Sequence, residues 1–384
     1  MNPLYEQMNT SVFERMSSLA AQHDAVNLGQ GFPDFGWPPE ILEAAAKAVV
    51  EGSNQYAPSR GTIALREAVA AHYNRHFGQE LDANHVCVTS GATEALGSAI
   101  LAAVQPGDEV IILTPAYDSY APMIRRAGAT PVEVALRPPE WRVERDAIEA
   151  AVSPKTRAMV FNNPHNPAGR LYEADELEII ASVAREHDLI VISDEVWEHI
   201  VLDGRRFTPL ATLPGMEERT IKVGSAGKIF SLTGWKVGWM VAAPELAQVI
   251  ARAHQFLTFS TAPNLQAAVA FGLNEGDAWL QPMRDRFQRS RDLMAEGLQS
   301  AGFATLDVAA TYFMCVDLAA SGISLDDEGF ASAAVEKAGV AVVPISAFAE
   351  RDPTRHLVRV CFSKKDETID AGVAAMAKAR EKLA

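Results

Sequence analysis

The sequence has 384 residues, which is long for a single compact core and predicts two domains, or one large domain with an appendage. Its formal net charge of −15, with a pI near 5.1, argues against nucleic acid and anionic membranes as bulk partners. No run approaches the roughly 18 apolar residues of a membrane span, and the N-terminus lacks the basic start and apolar core of a signal peptide. We therefore expect a soluble cytoplasmic protein.

The first predicted helices of the chain are indicated by residues that are typical of helix ends. Residues 39–50 place Ile41 and Ala45 at helical spacing between Pro39, which suits a first turn, and Gly52, which suits a C-cap. Residues 62–77 predict a second helix that ends at Gly78. The first forty residues are rich in proline and glycine and cannot form a core alone.

Short β-branched runs then alternate with helical stretches. The runs are VCVT (86–89), VIILT (110–114), PVEVAL (131–136), AMVF (158–161), LIVIS (189–193), TIKVG (220–224) and VGWMVA (237–242). Strands that are apolar throughout and alternate with helices are typical of a mostly parallel sheet covered on both faces. We predict an α/β large domain with seven strands, spanning residues 39–280.

After residue 243 the pattern becomes mostly helical. A long polar helix is predicted near residues 280–300, followed by strands at 312–318, 340–343 and 357–362 and helices at 325–338 and 367–382. This pattern predicts a smaller α+β domain over residues 281–384, and we expect residues 1–38 to pack against it. The widely spaced Cys87, Cys315 and Cys361 fit neither a metal pattern nor a complete disulfide framework and predict buried, reduced thiols.

Chemically useful side chains follow several of the predicted strands. Ligands of an open parallel sheet bind beyond the carboxyl ends of its strands, so these residues are the candidates. Gly91, Ala92 and Thr93 start a helix, whose first N–H groups are free. The other candidates are the aromatic ring of Tyr117, the amide of Asn166, the carboxylate of Asp194, and the pair Ser225 and Lys228. Asp194 alone could cap a turn and Tyr117 alone could pack in a core, but together the residues favour a shared ligand.

The spacing around Lys228 excludes two familiar phosphate-binding loops. Gly224 and Gly227 are separated by two residues and Ile229 follows the lysine, whereas a Walker loop needs four residues between its glycines and a Ser or Thr after the lysine. The segment SGATEAL (90–96) is also not a dinucleotide GxGxxG. Pyridoxal phosphate does need this set, because its aldehyde takes a lysine, its ring nitrogen a carboxylate and its phosphate a helix N-terminus.

These motifs resemble the class I/II aminotransferases, which are pyridoxal-phosphate enzymes of fold type I. The similarity runs from NLGQGFPDF (27–35) to LVRVCFSKKDETI (357–369), and the chain is most similar to the branch of kynurenine/glutamine and bacterial methionine aminotransferases. The motifs that carry it, in the order of the family, are NQYAPSRGTIALREAVA, SGATEAL, NNPHNPAG, SDEVWEH and SAGKIFSLTGWKVGW.

The resemblance implies a role for each candidate residue. Lys228 would be the Schiff-base lysine and proton shuttle, and Asp194 would pair with the pyridinium nitrogen. Asn166 would hydrogen-bond the 3′-oxygen of the cofactor, which stacks on Tyr117. The other implied contacts are the phosphate ligands Ala92, Thr93, Ser225 and Lys236; the substrate carboxylate ligands Arg359 and the Gly31 backbone; and Tyr56, which would reach the cofactor phosphate of the other subunit of a homodimer with shared sites.

Two positions depart from the pattern of the wider family. Lys236 stands where many members have arginine, which keeps the charge but loses the bidentate geometry. Trp197 stands where the family usually has a tyrosine that donates to the 3′-oxygen. We expect the indole N–H to point elsewhere, which leaves Asn166 as the partner of that oxygen.

The sequence thus predicts an aminotransferase that acts on a neutral, bulky L-amino acid (aromatic, methionine-like or glutamine-like) and a 2-oxo acid. Phe13, Phe32 and Trp37 near the expected substrate mouth support bulk, although they could equally form an interdomain core. A cysteine-conjugate carbon–sulfur β-lyase remains an alternative, because it would use the same carbanion. Ligand-sensing regulators of the same fold usually carry an extra DNA-binding domain, and we expect none here because the aminotransferase pattern runs from near residue 11 to near residue 382.

Overall fold

The computed structural model describes residues 1–6, 8, 10–35 and 38–384; Trp37 lies outside this set. The strands are β1 (Val26–Asn27), β2 (Val86–Thr89), β3 (Glu109–Thr114), β4 (Thr130–Ala135), β5 (Thr156–Asn162), β6 (Ile190–Asp194), β7 (Thr220–Ser225), β8 (Gly238–Val241), β9 (Ala304–Thr305), β10 (Phe313–Asp317), β11 (Val340–Ala341), β12 (Val343–Pro344) and β13 (Leu357–Cys361). The α-helices are α1 (Pro3–Glu6), α2 (Val12–Gln22), α3 (Pro39–Glu51), α4 (Ile63–Phe77), α5 (Ala92–Ala103), α6 (Tyr120–Arg126), α7 (Arg145–Glu149), α8 (Ala174–Glu186), α9 (Ala226–Ile229), α10 (Pro244–Gln255), α11 (Pro263–Asn274), α12 (Leu280–Ser300), α13 (Asp327–Ala338) and α14 (Asp366–Leu383).

The larger sheet of the described chain has seven strands in the order β2-β8-β7-β6-β5-β3-β4. Neighbouring strands pair in parallel except at β8, which is antiparallel to both β2 and β7. Side chains of β2, β3 and β6 are buried along almost their whole length, as expected for strands covered on both faces. The predicted mostly parallel sheet is confirmed, and each predicted run corresponds to one of its strands.

The helix ends follow the local sequence signals. The hydroxyl of Thr62 accepts from the backbone N–H of Leu65 at the start of α4, and Gly78 ends that helix with a φ of 65°, in the left-handed region that favours glycine. Pro39 occupies the first turn of α3. The predicted polar helix over residues 280–300 coincides with α12.

The C-terminal part carries a four-stranded antiparallel sheet in the order β12-β13-β10-β9. The single strand predicted over residues 340–343 is wrong in detail, because it divides into β11 and β12. Strand β12 joins the antiparallel sheet, whereas β11 pairs in parallel with β1 of the N-terminal segment. The backbone of Leu28 continues this link, since it accepts a hydrogen bond of 2.7 Å from Cys361. The domain boundaries after residues 38 and 280 stay a prediction.

Two glycines allow the strand ends to meet where the candidate residues lie. Gly238 begins β8 and pairs with Thr89 on one side and with Ser225 on the other. A Cβ atom at Gly238 would lie 2.7 Å from the carbonyl carbon of Gly91, closer than real Cβ contacts come. A larger residue at Gly238 would therefore push apart the end of β2 and the start of α5.

The three cysteines are free and buried, as predicted. Among the described residues, no helix is both long enough and apolar enough to cross a membrane. The cytoplasmic location stays a prediction.

Candidate active site

A cavity of about 570 Å³ opens at the carboxyl edge of the large sheet, a size that suits a small-molecule ligand. The candidate residues that line it are Gly31, Gly91, Ala92, Thr93, Tyr117, Asn166, Asp194, Trp197, Ser225, Lys228, Lys236 and Arg359. The aromatic residues Phe13 and Phe32 line it as well. A wider groove of about 1100 Å³ beside α12 contains none of these candidates. The smaller cavity is therefore the candidate active site.

Tyr56 is the candidate that does not line this cavity. Its side chain is 87% exposed on the surface of the chain. Its ring lies 5.5 Å from that of Phe259, nearly perpendicular to it. Within one chain, Tyr56 therefore has no contact with the candidate site.

One wall of the cavity is built for an anion. Helix α5 begins there, with Gly91 as its N-cap at a φ of 83° and Ala92 and Thr93 in its first turn. The side chain of Lys236 lies alongside, because a Cβ atom added to Gly91 would be 3.5 Å from its Nζ. The start of a helix carries partial positive charge, and Lys236 forms no ion pair with a described residue. Two positive groups therefore lie side by side, and no carboxylate of the described residues pairs with Lys236.

Lys228 lies on the single-turn helix α9, directly after β7. Partial burial in the cavity wall lowers the pKa of its amine to about 8. The amine donates a hydrogen bond of 3.1 Å to the hydroxyl of Tyr312. It lies 4.5 Å from the centre of the Trp197 ring. A lysine with a lowered pKa exists partly as the neutral amine, which is the nucleophilic and basic form.

Asp194 is the last residue of β6 and is 5% exposed. The hydroxyl of Tyr120 donates a hydrogen bond of 2.6 Å to its Oδ2. Burial raises the pKa of the carboxyl to about 6, whereas the hydrogen bond from Tyr120 acts in the opposite direction. A cationic partner in the cavity would lower this pKa and hold the carboxylate in its charged form.

Arg359 reaches the cavity from the centre of β13. Its Nη1 donates to the side-chain oxygen of Asn166 at 2.9 Å and its Nη2 to the carbonyl of Gly29 at 2.8 Å. The guanidinium lies 3.8 Å from the centre of the Phe313 ring. Burial lowers its pKa to about 10, so it stays charged at neutral pH. Both of these partners are neutral, which leaves the positive charge available to an anion.

Trp197 is buried against the aromatic residues of the other sheet. Its ring is nearly perpendicular to that of Tyr312 at 4.5 Å and lies 5.4 Å from that of Phe313. Within the described ranges, its indole N–H donates no hydrogen bond. The expectation that this N–H points away from the 3′-oxygen stays a prediction.

The comparisons with known proteins decide the family. The profile described as aminotransferase class I and II matches residues 23–376. The chain belongs to this family. It is similar to the solved structure of N-succinyldiaminopimelate aminotransferase from Mycobacterium tuberculosis, with 44% identity, a TM-score of 0.96 and coverage of 99% of this chain and 100% of that one.

Two aminotransferases with curated names extend this result. The methionine aminotransferase of Escherichia coli is 40% identical, with 94% of each chain covered. Kynurenine–oxoglutarate transaminase 3 of Mus musculus is 36% identical, with 95% of this chain and 87% of that one covered. The expected family, branch and fold type I are confirmed: the chain is an aminotransferase that depends on pyridoxal phosphate.

The residues of the cavity fit this cofactor. A phosphate matches the helix start at Gly91, beside the side chain of Lys236. The buried carboxyl of Asp194 suits a protonated ring nitrogen, and the amine of Lys228 suits an aldehyde. The half-buried ring of Tyr117 offers a flat surface between them.

Among the residues of the site that the sequence reasoning missed are Tyr120, Asp118 and Tyr312. Tyr120 follows Tyr117 by three positions and is brought to Asp194 by the start of α6. Asp118, which directly follows Tyr117, lines the cavity. Tyr312 contacts Lys228 from the other sheet, 84 positions along the chain. The segment PAYDSY held a signal for the first two, but no local signal could have indicated Tyr312.

Proposed function

We propose that this aminotransferase moves the amino group of a neutral, bulky L-amino acid to a 2-oxo acid. One observation carries the proposal: Arg359 and Lys228 open into one cavity, and no described carboxylate forms an ion pair with either of them. A fixed cation and a basic amine side by side suit a substrate that has both an α-carboxylate and an α-proton. Methionine-like, aromatic and glutamine-like donors are the candidates.

Four groups hold the cofactor phosphate in this proposal. The N–H groups of Ala92 and Thr93 donate to it from the start of α5, the Ser225 hydroxyl adds a further donor, and Lys236 supplies the charge. Lys236 binds as a point charge rather than as a planar fork, so we expect the helix N-terminus to determine the orientation.

Three side chains hold the cofactor ring in this proposal. Asp194 keeps the ring nitrogen protonated, and Tyr117 stacks on the ring face. The side-chain oxygen of Asn166 accepts from Arg359, so its NH₂ group is free to donate to the 3′-oxygen. Burial of Asp194 strengthens its attraction to a charged ring nitrogen, because the surroundings screen the pair only weakly.

Bound pyridoxal phosphate supplies an aldehyde that condenses with amines and a ring that accepts the electron pair released at the substrate α-carbon. Lys228 takes the proton from that carbon and later returns one, acting as base and then as acid. Its pKa of about 8 suits both roles near neutral pH, since neither protonation state is strongly disfavoured. Arg359 and the backbone of Gly31 bind the α-carboxylate and so orient the α-carbon toward the lysine.

The charges of the cavity support a neutral substrate side chain. Its described basic residues are Lys228, Lys236 and Arg359, and each already has a role in the proposal. No further described cation of the lining remains for a second carboxylate of the substrate. Asp118 also lines the cavity, and its negative charge would repel one.

The aromatic lining supports a bulky side chain. Phe13, Phe32 and Phe313 contribute apolar surface to the cavity mouth, and apolar area removed from water favours large side chains over small ones. The solved structure of N-succinyldiaminopimelate aminotransferase is named for a substrate with additional carboxylates, so family membership alone leaves the choice of donor open.

We also propose a symmetric homodimer in which Tyr56 reaches the cofactor phosphate of the other subunit. Tyr56 is exposed and its ring lies beside that of Phe259, and Phe256 and Leu257 in the same short segment as Phe259 are exposed as well. Exposed aromatic groups of this kind are typical of a protein interface. Isologous pairing is the commonest arrangement of soluble oligomers.

A panel of amino donors with several oxo acids tests the proposed function. We expect new amino acid from methionine, phenylalanine, kynurenine or glutamine and much less from aspartate or glutamate, with Lys228→Ala as the inactive control. Release of pyruvate from cysteine conjugates, in reactions without alanine or added pyruvate, would instead indicate the β-lyase alternative. A strong preference for donors with a second carboxylate would contradict the proposed substrate class.

A further inference from the structure

The hydroxyl of Tyr312 is held in a fixed position beside the reacting lysine. Tyr312 precedes β10, after Thr311, which has a φ of 65°. Its ring packs against three other aromatic rings, with distances between ring centres of 4.5 Å to Trp197, 4.9 Å to Phe313 and 5.7 Å to Phe287. A side chain enclosed in this way has little rotational freedom, so its hydroxyl acts as a rigid part of the cavity wall.

The hydrogen bonds of this hydroxyl have a definite direction. Its proton is donated to the carbonyl of Gly31 at 2.7 Å. The oxygen therefore offers a lone pair to the amine of Lys228, which donates to it at 3.1 Å. In the part of the chain that the structure describes, Tyr312 is the one hydrogen-bond partner of this amine.

The other close neighbour of the amine cannot take this role. Trp197 presents the face of its ring to Lys228 at 4.5 Å and has no oxygen that could accept a hydrogen bond. The ring attracts the charged ammonium but gives the neutral amine little direction. Directional control of the neutral amine therefore depends on Tyr312.

We propose that Tyr312 is a positioning residue for catalysis, whose hydroxyl fixes the free amine of Lys228 while that amine carries the substrate proton. In this step the C–H bond at the α-carbon breaks and its electron pair stays with the substrate. A new N–H bond forms at Nζ of Lys228, and Tyr312 neither gains nor loses a proton. The inference rests on the proposed role of Lys228 as the proton carrier.

The same hydroxyl links the lysine to the substrate carboxylate. Its acceptor is the carbonyl of Gly31, whose backbone is proposed to bind that carboxylate together with Arg359. A shift of this loop would therefore move the hydroxyl and, through it, the amine. Tyr312 thus makes the position of Lys228 depend on the position of the carboxylate-binding loop.

The variant Tyr312→Phe removes the hydroxyl and keeps the ring. Tyr172→Phe is the matched control, because Tyr172 also has a buried hydroxyl but contacts Phe161 and His165 rather than the cavity. The first measurement is the pH dependence of acetic anhydride labelling of Lys228 in the cofactor-free protein, followed by mass spectrometry. The second is kcat with ordinary and α-deuterated forms of any donor that the native enzyme accepts.

For Tyr312→Phe we expect the labelling midpoint to fall by about 0.5 to 1 pH unit, because the ammonium loses a charge-assisted acceptor. We expect kcat to fall by about 10- to 100-fold with a larger deuterium isotope effect, because a misplaced base slows the proton transfer. Tyr172→Phe should change neither quantity.

A normal kcat in Tyr312→Phe would overturn the positioning role, whatever the labelling shows. A reduced kcat with an unchanged labelling midpoint and isotope effect would also overturn it, since the loss would then be structural. This test does not depend on the proposed substrate class, because it can use any donor that the native enzyme accepts. If the proposed class is wrong, a different donor is used, and the comparison between the variants stays the same.

Discussion

Arg359 of β13 donates a hydrogen bond of 2.9 Å to the side-chain oxygen of Asn166, which lies in the turn after β5 of the other sheet. The contact fixes both partners. It aligns the guanidinium of Arg359 with the cavity, and it commits the Asn166 oxygen so that its NH₂ group remains to donate. This one contact therefore orients both a carboxylate-binding group and a cofactor-binding group, and substitutions of Arg359 should weaken ligand binding.

The variant Arg359→Lys should weaken the binding of every amino donor. Lysine keeps the charge but cannot reach Asn166, Gly29 and a carboxylate together as the planar fork does. We expect KM to rise by about 10- to 100-fold for all donors, the effect of losing charge-assisted hydrogen bonds. The value of kcat should change much less, because ground state and transition state lose the same interaction.

Steady-state kinetics with at least three donors check this expectation. Arg125→Lys is a suitable control, since Arg125 pairs with Glu350 at the surface outside the cavity. A rise in KM confined to one donor would show that Arg359 binds the side chain of that donor rather than the α-carboxylate that all donors share.

The variant Asp194→Asn should affect turnover instead of binding. An amide does not hold a proton on the ring nitrogen of the cofactor, so electron withdrawal by the ring is weakened. We expect kcat to fall by at least about 100-fold with a smaller change in KM. Tyr120→Phe should have a milder effect in the same direction, because loss of its hydrogen bond raises the pKa of Asp194 further.

Comparison of the two variants in the same assay separates these roles. If Asp194→Asn and Arg359→Lys changed KM and kcat in the same proportions, the division between ring activation and carboxylate binding would be wrong.

The large sheet and most of its rim were predictable because their signals are local. Continuous apolar runs identified the strands, and the rule that ligands bind at strand ends led to Asp194 and Lys228. Tyr312 and the split between β11 and β12 were not predictable in this way. They depend on how the C-terminal sheet and the N-terminal segment pack together, and their contacts join residues far apart in the sequence.

The lowered pKa of Lys228 predicts a stability difference that depends on pH. The unfolded lysine has an ordinary pKa of 10.5, and the folded one about 8. A depressed folded pKa contributes stability that is present above the unfolded pKa and is lost as pH falls through the folded pKa. In the cofactor-free protein, Lys228→Met should therefore be more stable than the native chain at pH 7, by at most about 3 kcal/mol.

Urea unfolding of both cofactor-free proteins between pH 7 and pH 10.5 measures this difference. The advantage of Lys228→Met should shrink across that interval, because the native lysine becomes neutral in both states. A difference that stays constant over the whole range would show that packing, and not ionisation, is responsible.

The proposed dimer predicts that a charge in the exposed aromatic surface separates the subunits. Phe256 is 84% exposed and lies three positions before Phe259, the neighbour of Tyr56. Phe256→Glu should raise the dissociation constant of the dimer and reduce activity at low protein concentration, because each site would lose Tyr56 of the partner subunit. Leu325→Glu, at an exposed apolar position before α13 in the C-terminal part of the chain, is the control for a charge introduced elsewhere.

Mass photometry over a range of concentrations, together with activity, checks this prediction. A native protein that is fully active as a monomer would contradict the shared site, and the proposed role of Tyr56 would then be dropped.

Trp197 gives the last prediction, because it replaces a hydroxyl donor with a ring. A tyrosine hydroxyl at this position would donate to the 3′-oxygen of the cofactor and stabilise its anionic form, which lowers the pH at which the lysine-linked cofactor loses its proton. The buried indole of Trp197 makes no such bond to any described residue and packs against Tyr312 and Phe313. The visible absorbance of the cofactor-loaded native enzyme should therefore titrate at a higher pH than that of Trp197→Tyr. Trp197→Phe, which also lacks a hydroxyl, should titrate close to the native enzyme. Coincident curves for all three proteins, or a lower midpoint in the native enzyme, would contradict this account of Trp197.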